Sequence, residues 1–281
     1  MNTWQSTMAS SISTNRPGLA RSATQAAVAS LSSKLRERFV THGAGGYVLT
    51  WLVLPIFQIA ITGLIYRGTR PDLLGYIVVG IAMGTFIFNS QYYVGEILDE
   101  ERIHGTLAGL FLAPCPRLAW LAGFSLGGLV DTILAAAAET VFGIISFGVR
   151  FDPNYPALIL SFLLFFLSLW GLGFVFSAAG LVLKRSNDLS NLLSPFIFLL
   201  GGIYYPISLL PLWLTIPAHA LPFGYGVQAM ASAALHHEGI AQLGAQLLPL
   251  AGFAIGTPIL GVLAFGWVEH KVRARGDLEL Y

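Results

Sequence analysis

Four of the chain's fourteen acidic residues, Glu96, Asp99, Glu100 and Glu101, fall within six consecutive positions, with long apolar runs on both sides. Such a contrast marks a water-facing device. Glu96, Glu100 and His104 are spaced i, i+4, i+8, and Leu98, Ile103, Leu107 and Leu110 offer apolar contact. That pattern reads as a short helix ending in rigid loop, with Gly105 permitting a bend and Pro114 and Pro116 stopping the helix. A solvated charged loop fits the spacing equally well. Two further carboxylates, Asp131 and Glu139, lie inside an apolar run, where an ionisable side chain costs about 2.5–3.5 kcal/mol. Eight positions separate them by about 12 Å along a helix and about 80° around it, so they can share one broad side. They read as a cation-binding or proton-linked site, as an attractor for a cationic substrate, or as acids bonded across helices to groups such as Ser125 or Thr140.

Other chemistry is sparse. No Gly-x-x-x-x-Gly-Lys-Ser/Thr loop occurs, so the chain has no phosphate cradle of that type. No Ser/His/Asp or His-x-x-Glu-His arrangement lies in the apolar runs. His236, His237 and Glu238 match no zinc spacing and read as a polar hairpin, leaving no metal assignment. His219 reads as a loop or gate residue with a local hydrogen bond. The single cysteine, Cys115, can form no disulfide within the chain.

The elements that must position these groups follow from composition. Of 281 residues, 55% are hydrophobic and 10% charged, against about 25% charged in soluble domains, and the apolar runs are long enough to cross about 30 Å of hydrocarbon. The sequence predicts an all-α, multi-pass membrane protein. Residues 1–17 form a polar, disordered tail. Residues 18–42 form an amphipathic helix on the inner membrane surface, with apolar or small residues every four positions (Leu19 to Phe39) and Arg21, Lys34, Arg36 and Arg38 toward lipid head groups. A six-helix domain occupies 43–270, followed by a short tail over 271–281. Its spans are Tyr47–Tyr66, Leu73–Gly95, Leu118–Val149, Ala157–Leu183, Leu189–Tyr205 and Leu247–Val268.

Orientation follows from Lys and Arg. With both termini cytoplasmic, Arg16, Arg21, Lys34, Arg36, Arg38, Arg102, Arg117, Lys184, Arg185, Lys271, Arg273 and Arg275 lie inside, and only Arg67, Arg70 and Arg150 outside. The acidic stretch 96–117 is then cytoplasmic. On the outer side, the apolar segment 201–222 carries Pro206, Pro211, Pro217 and Pro222, which forbid one continuous helix. Short helices dipping back into the outer leaflet are expected there, as a cap or a gate.

Two features resemble the ABC-2 family of ATP-binding-cassette transporter permeases. One is the acidic loop followed by Gly105-Thr106-Leu107 and Pro114-Cys115-Pro116-Arg117; the other is Gly201-Gly202 with Tyr205-Pro206, Leu210-Pro211-Leu212-Trp213 and Leu221-Pro222. The likeness covers roughly residues 18–275 and departs at Ala108-Gly109, where family members often carry a polar residue. The resemblance implies a non-enzymatic permease subunit in the cell (plasma or inner) membrane. ATP and Mg would bind two copies of a separate ATPase, and this chain would bind no cofactor itself. It implies a second permease copy, identical or sister, a lipid environment and no nucleic acid. Glu96, Asp99, Glu100, Glu101, Arg102, His104, Gly105, Thr106 and Arg117 would couple to the ATPase. Spans two and five would line the route, through Asn89, Gln91, Tyr92 and Tyr93 and through Asn191, Ser194, Phe198 and Tyr205. The expected activity is export of a small amphipathic substrate (drug, antibiotic, lipid or peptide) by alternating access. The alternative is an ATP-independent transporter or channel using Asp131 and Glu139.

Overall fold

A computed structural model describes residues 24–33, 43–91, 101, 105, 109, 117–183 and 186–275. Among them the secondary structure is helical, without strands. Helix α1 covers 24–33; α2 (Gly43–Val48) leads through a π-turn (Leu49–Val53) into α3 (Leu54–Thr69). Then come α4 (Leu74–Gln91), α5 (Arg117–Phe147), α6 (Tyr155–Leu183), α7 (Ser186–Leu200), α8 (Leu212–His219), α9 (Phe223–Leu235) and α10 (Gly244–Arg275).

Among the described residues, five stretches are long and apolar enough to cross a membrane: Gly45–Thr69, Pro71–Gln91, Leu118–Phe147, Tyr155–Gly180 and Gly244–Lys271. The shortest has 21 residues and rises about 31 Å, enough for a core of about 30 Å. Large side chains left bare on these helices, such as Leu64, Ile145, Leu248 and Leu263, suit an apolar environment and not water. The protein is therefore a multi-pass membrane protein. The segment expected as span five is shorter than its sequence suggests: α7 has 15 residues, a rise of about 22 Å. It stops because the chain turns at Gly201-Gly202, where Gly201 N–H donates to Ile197 O at 2.7 Å and Gly202 takes φ +64°.

The prolines beyond that turn act as separators. Pro206, Pro211 and Pro222 each stand immediately before a helical piece, the 3-10 turn Ile207–Leu209, α8 and α9 respectively. Of the four prolines in 201–222, only Pro217 lies inside a helix. Helix α9 has no counterpart among the elements read from the sequence. It is rich in Gly and Ala, and nine of its thirteen residues are buried. Small side chains let it slide into the bundle, with Gly226 against the Phe165 ring and Gly224 against Ile207.

Long helices α6 and α10 form the tightest seam. A methyl group at Gly171 would strike the backbone of Thr257 and Pro258, and one at Gly261 would strike the Gly171 carbonyl and Phe174. Thr257 Oγ1 donates to Ser168 O at 2.8 Å across this seam. Small residues that admit close backbone approach, reinforced by hydroxyls, are the usual adhesive between helices in lipid.

Helix α1 docks on α5 through the same device. Gly123 of α5 receives the Ala27 backbone and the Ser30 side chain, while Val28 on the opposite face is 63% exposed.

Candidate functional site: an intramembrane cavity beside Glu139

The site begins with a proline. Pro55 has no N–H, and its ring crowds the carbonyl four residues earlier, which opens the helical ladder. The first span accommodates this with the π-turn Leu49–Val53, closed by Leu54 N–H donating to Leu49 O. Single π-turns often sit at functional sites because they re-aim side chains. Here Thr50 and Trp51 from the turn, with Leu54 and Gln58 below it, line a cavity of about 430 Å³. Helix α4 contributes Gly84, Thr85, Phe88 and Asn89; α5 contributes Ala135 and Glu139; Phe198 of α7 and Tyr204 complete the wall.

Two acids on α5 have separate fates. Asp131 is buried, and Tyr47 of α2 donates its hydroxyl to Asp131 Oδ1 at 2.6 Å. Glu139 is fully buried, on the cavity wall, with Thr85 Oγ1 of α4 at 3.0 Å from both carboxylate oxygens. Neither acid uses Ser125 or Thr140. Ser125 accepts from Trp170 Nε1 at 2.8 Å, and Thr140 bonds back to Ala136 O.

The remaining polar lining is organised by neighbours. Asn89 Nδ2 donates to Thr132 Oγ1 at 3.0 Å, fixing the amide between α4 and α5. Gln58 Nε2 reaches the Tyr204 hydroxyl at 3.3 Å. Tyr204 stacks on Phe198 with ring centres 5.9 Å apart, and Phe198 meets Phe88 at 6.4 Å. An aromatic wall thus stands with the carboxylate, Thr85 and Asn89 in the same lining.

The expected path residues divide. Asn89 and Phe198 come together at the cavity. Gln91 is buried nearby on α4, and its Oε1 has no hydrogen-bond partner among the described residues. Asn191 and Ser194 lie on α7, Asn191 exposed, Ser194 half-buried. Tyr205 donates to Leu199 O at 2.9 Å and is not on the lining. Tyr92, Tyr93, Glu96, Asp99, Glu100, Arg102, His104 and Thr106 lie outside the described residues. Of the acidic stretch, Glu101 is half-buried, Gly105 sits in a turn with φ +70°, and Arg117 opens α5. Gln58, Thr85 and Trp51 were not marked by the sequence as site residues; Pro55 was the available signal.

The Gly-Gly turn is fastened to α4. Tyr76 donates its hydroxyl to Gly202 O at 2.7 Å, and Gly80 lies directly under the Ile203 carbonyl. Elsewhere, His219 Nδ1 is 2.7 Å from Thr215 O, a local contact. His237 Nδ1 is 3.2 Å from Asp152 Oδ1. Among the described residues no three His, Cys, Asp or Glu side chains group as metal ligands.

The family model described as ABC-2 type transporter matches residues 36–235, well over half of the chain. The chain belongs to the ABC-2 type transporter family. The match takes in both the acidic stretch and the Gly-Gly turn with its proline-separated helices. No curated protein matches the sequence significantly. As a member of that family the chain is a membrane component of a transport system, a kind of subunit that generally catalyses no reaction and typically works with an ATPase.

Proposed function

We propose that this chain is the membrane-spanning subunit of an ATP-driven exporter of small amphipathic compounds. The observation that carries the reading is the family match across residues 36–235, which takes in both the acidic stretch and the Gly-Gly turn of the sequence. An ATPase moving under a membrane can act on a permease only through an element that projects into water. The stretch 96–117, with Glu96, Asp99, Glu100, Glu101, Arg102, His104, Gly105, Thr106 and Arg117, is that element. ATP binding to two ATPase copies would displace it and tilt the spans of two permease copies as rigid bodies, switching the bundle from inward to outward opening. ATP and Mg stay on the ATPase.

In this reading α7 is the fifth of six spans, completed by Gly201-Gly202 and the helices after it, which re-enter the outer leaflet. Leu212, Trp213 and Ile216 are more than 70% exposed on α8, and lipid or the second permease copy is a better neighbour for them than water. Both termini are then cytoplasmic. Spans two and five line the route, through Asn89, Gln91, Tyr92, Tyr93, Asn191, Ser194, Phe198 and Tyr205.

A second reading draws on Glu139 facing a cavity: an ATP-independent transporter in which this acid carries the coupling ion. It leaves the acidic stretch without a task. One experiment separates the two. The tagged chain is extracted gently from native membranes, and bound proteins are identified by mass spectrometry, with a Glu100→Lys/Glu101→Lys variant alongside. Recovery of a P-loop ATPase, reduced at least several-fold by the charge reversal, is expected. Absence of any ATPase would overturn the exporter reading in favour of the ion-coupled one.

A further inference from the structure

We propose that the cavity beside the π-turn is a binding site for amphipathic organic cations, with the Glu139 carboxylate taking the charge and the Phe198–Tyr204 stack taking the apolar body. The proposal names the substrate class of the exporter described above, and so rests on that reading for its role in transport. The binding itself needs only the cavity.

The charge assignment starts from what Glu139 lacks. A carboxylate offers about four acceptor sites. Among the described residues Glu139 receives a hydrogen bond only from Thr85, and the cavity lining has no Lys, Arg or His. Asp131, two turns away on the same helix, has a phenol at 2.6 Å and does not line the cavity. One acid is therefore bonded to a phenol away from the cavity, and the other is a fully buried member of the cavity wall. A carboxylate at membrane depth is costly, and the partner that relieves it best carries positive charge.

The rest of the lining argues against a bare metal ion. Hard cations ask for six or more oxygens, whereas much of this lining is aromatic: Trp51, Phe88, Phe198 and Tyr204. Ring faces attract organic cations, most strongly where water is excluded. The volume of about 430 Å³ falls within the range of about 300–1,000 Å³ that holds drug-sized ligands. A flexible rim also favours variety: the π-turn that presents Thr50 and Trp51 is a break in the regular ladder, so the wall can adjust without unfolding a span.

The test uses two ions of matched shape and opposite charge, tetraphenylphosphonium and tetraphenylborate, neither of which has a proton to exchange. The full chain, with whatever ATPase remains bound, is placed in lipid nanodiscs, and equilibrium binding is measured without nucleotide, subtracting empty nanodiscs. The wild type is expected to bind tetraphenylphosphonium saturably and tetraphenylborate only as lipid does. Glu139→Gln, which keeps the shape of the side chain, should weaken the cation at least tenfold, and Glu139→Asp should restore part of the loss. Phe198→Ala, on the aromatic wall, should weaken it several-fold and keeps the test decisive if the Glu139 variants do not fold. Unchanged cation affinity in Glu139→Gln, equal saturable binding of both ions, or no saturable cation binding by folded wild type would each overturn the proposal. ATPase recovery is scored on the same samples. Binding without any ATPase would remove the exporter reading and leave the cavity assignment standing; ATPase without cation binding would do the reverse.

Discussion

The α6–α10 seam and the corner between the first span, α4, α5 and α7 are built from the same kinds of residue and behave in opposite ways. Both contain glycines, hydroxyls and aromatic rings. In the seam, Gly171 and Gly261 let two backbones touch, and Thr257 bonds across to the Ser168 carbonyl. At the corner, Pro55 opens the ladder, and the rings of Phe88, Phe198 and Tyr204 stand around about 430 Å³ of space. Glycine facing backbone closes a contact, whereas a proline-driven π-turn holds one open. The seam is the frame, and the corner is where the bundle leaves space.

The largest effect should come from forcing the frame apart. At Gly171 the obstruction is the Thr257–Pro258 backbone, which cannot rotate away as a side-chain tip would. Gly171→Val should therefore cost about 3 kcal/mol, the upper part of the overpacking range, and lower the apparent Tm in detergent clearly. Gly266→Val on α10, where added atoms meet nothing within 4 Å, should leave Tm nearly unchanged. A small loss at Gly171 would mean that the seam is not the rigid element.

The two acids sharpen the comparison next. Tyr47→Phe removes the hydroxyl that serves Asp131, and losing that hydrogen bond to a buried acid should cost about 1–3 kcal/mol. Glu139→Gln should cost less than that or stabilise the fold, because it removes a charge that, among the described residues, Thr85 alone satisfies. Thermal unfolding of both variants reads the difference directly. If Glu139→Gln were the more damaging, the cavity acid would be part of the frame.

Much of the frame was legible because a membrane span is a matter of length. The runs read as Tyr47–Tyr66 and Leu247–Val268 became spans over Gly45–Thr69 and Gly244–Lys271, a few residues longer because helices continue past their apolar centres. The proline-punctuated segment 201–222 was likewise readable as broken helices. Helix α9 was not, since its Gly and Ala residues show neither a long apolar run nor a face; their burial is decided by Phe165 and Ile207 from elsewhere. The site was half legible. Asp131 and Glu139 stood out by type, but their partners lie 84 and 54 positions away, so no local pattern could tell the bonded acid from the one beside space. Glu96, Asp99, Glu100, Arg102, His104 and Thr106, expected from the resemblance to couple to an ATPase, lie outside the described residues.

A smaller effect is expected where the corner meets the Gly-Gly turn. Tyr76→Phe removes the donor to Gly202 O and should cost about 1 kcal/mol. Because Gly80 still sits under the Ile203 carbonyl, the turn should loosen rather than detach. Proteolysis between Leu200 and Leu212 in proteoliposomes would then speed up more than the Tm falls; an equal change in both would place the turn within the frame.

The smallest effect tests how the seam divides its work between shape and hydrogen bonding. Thr257 Oγ1 lies 2.8 Å from both Ser168 O and its own helix's Phe253 O, and it has one proton to give. Ser168 O, in mid-helix, is already engaged by its own ladder. Thr257→Val should therefore cost only about 0.6 kcal/mol, the average for such bonds in lipid, while keeping the branched shape that fills the contact. Ser168→Ala, which removes a hydroxyl whose reach to Leu250 O is 3.4 Å, should cost no more. Their combination should be additive, since the two hydroxyls do not bond each other. A double variant that loses as much as Gly171→Val would show that polar bonding, and not close backbone approach, holds α6 to α10, and the contrast between seam and corner would fail.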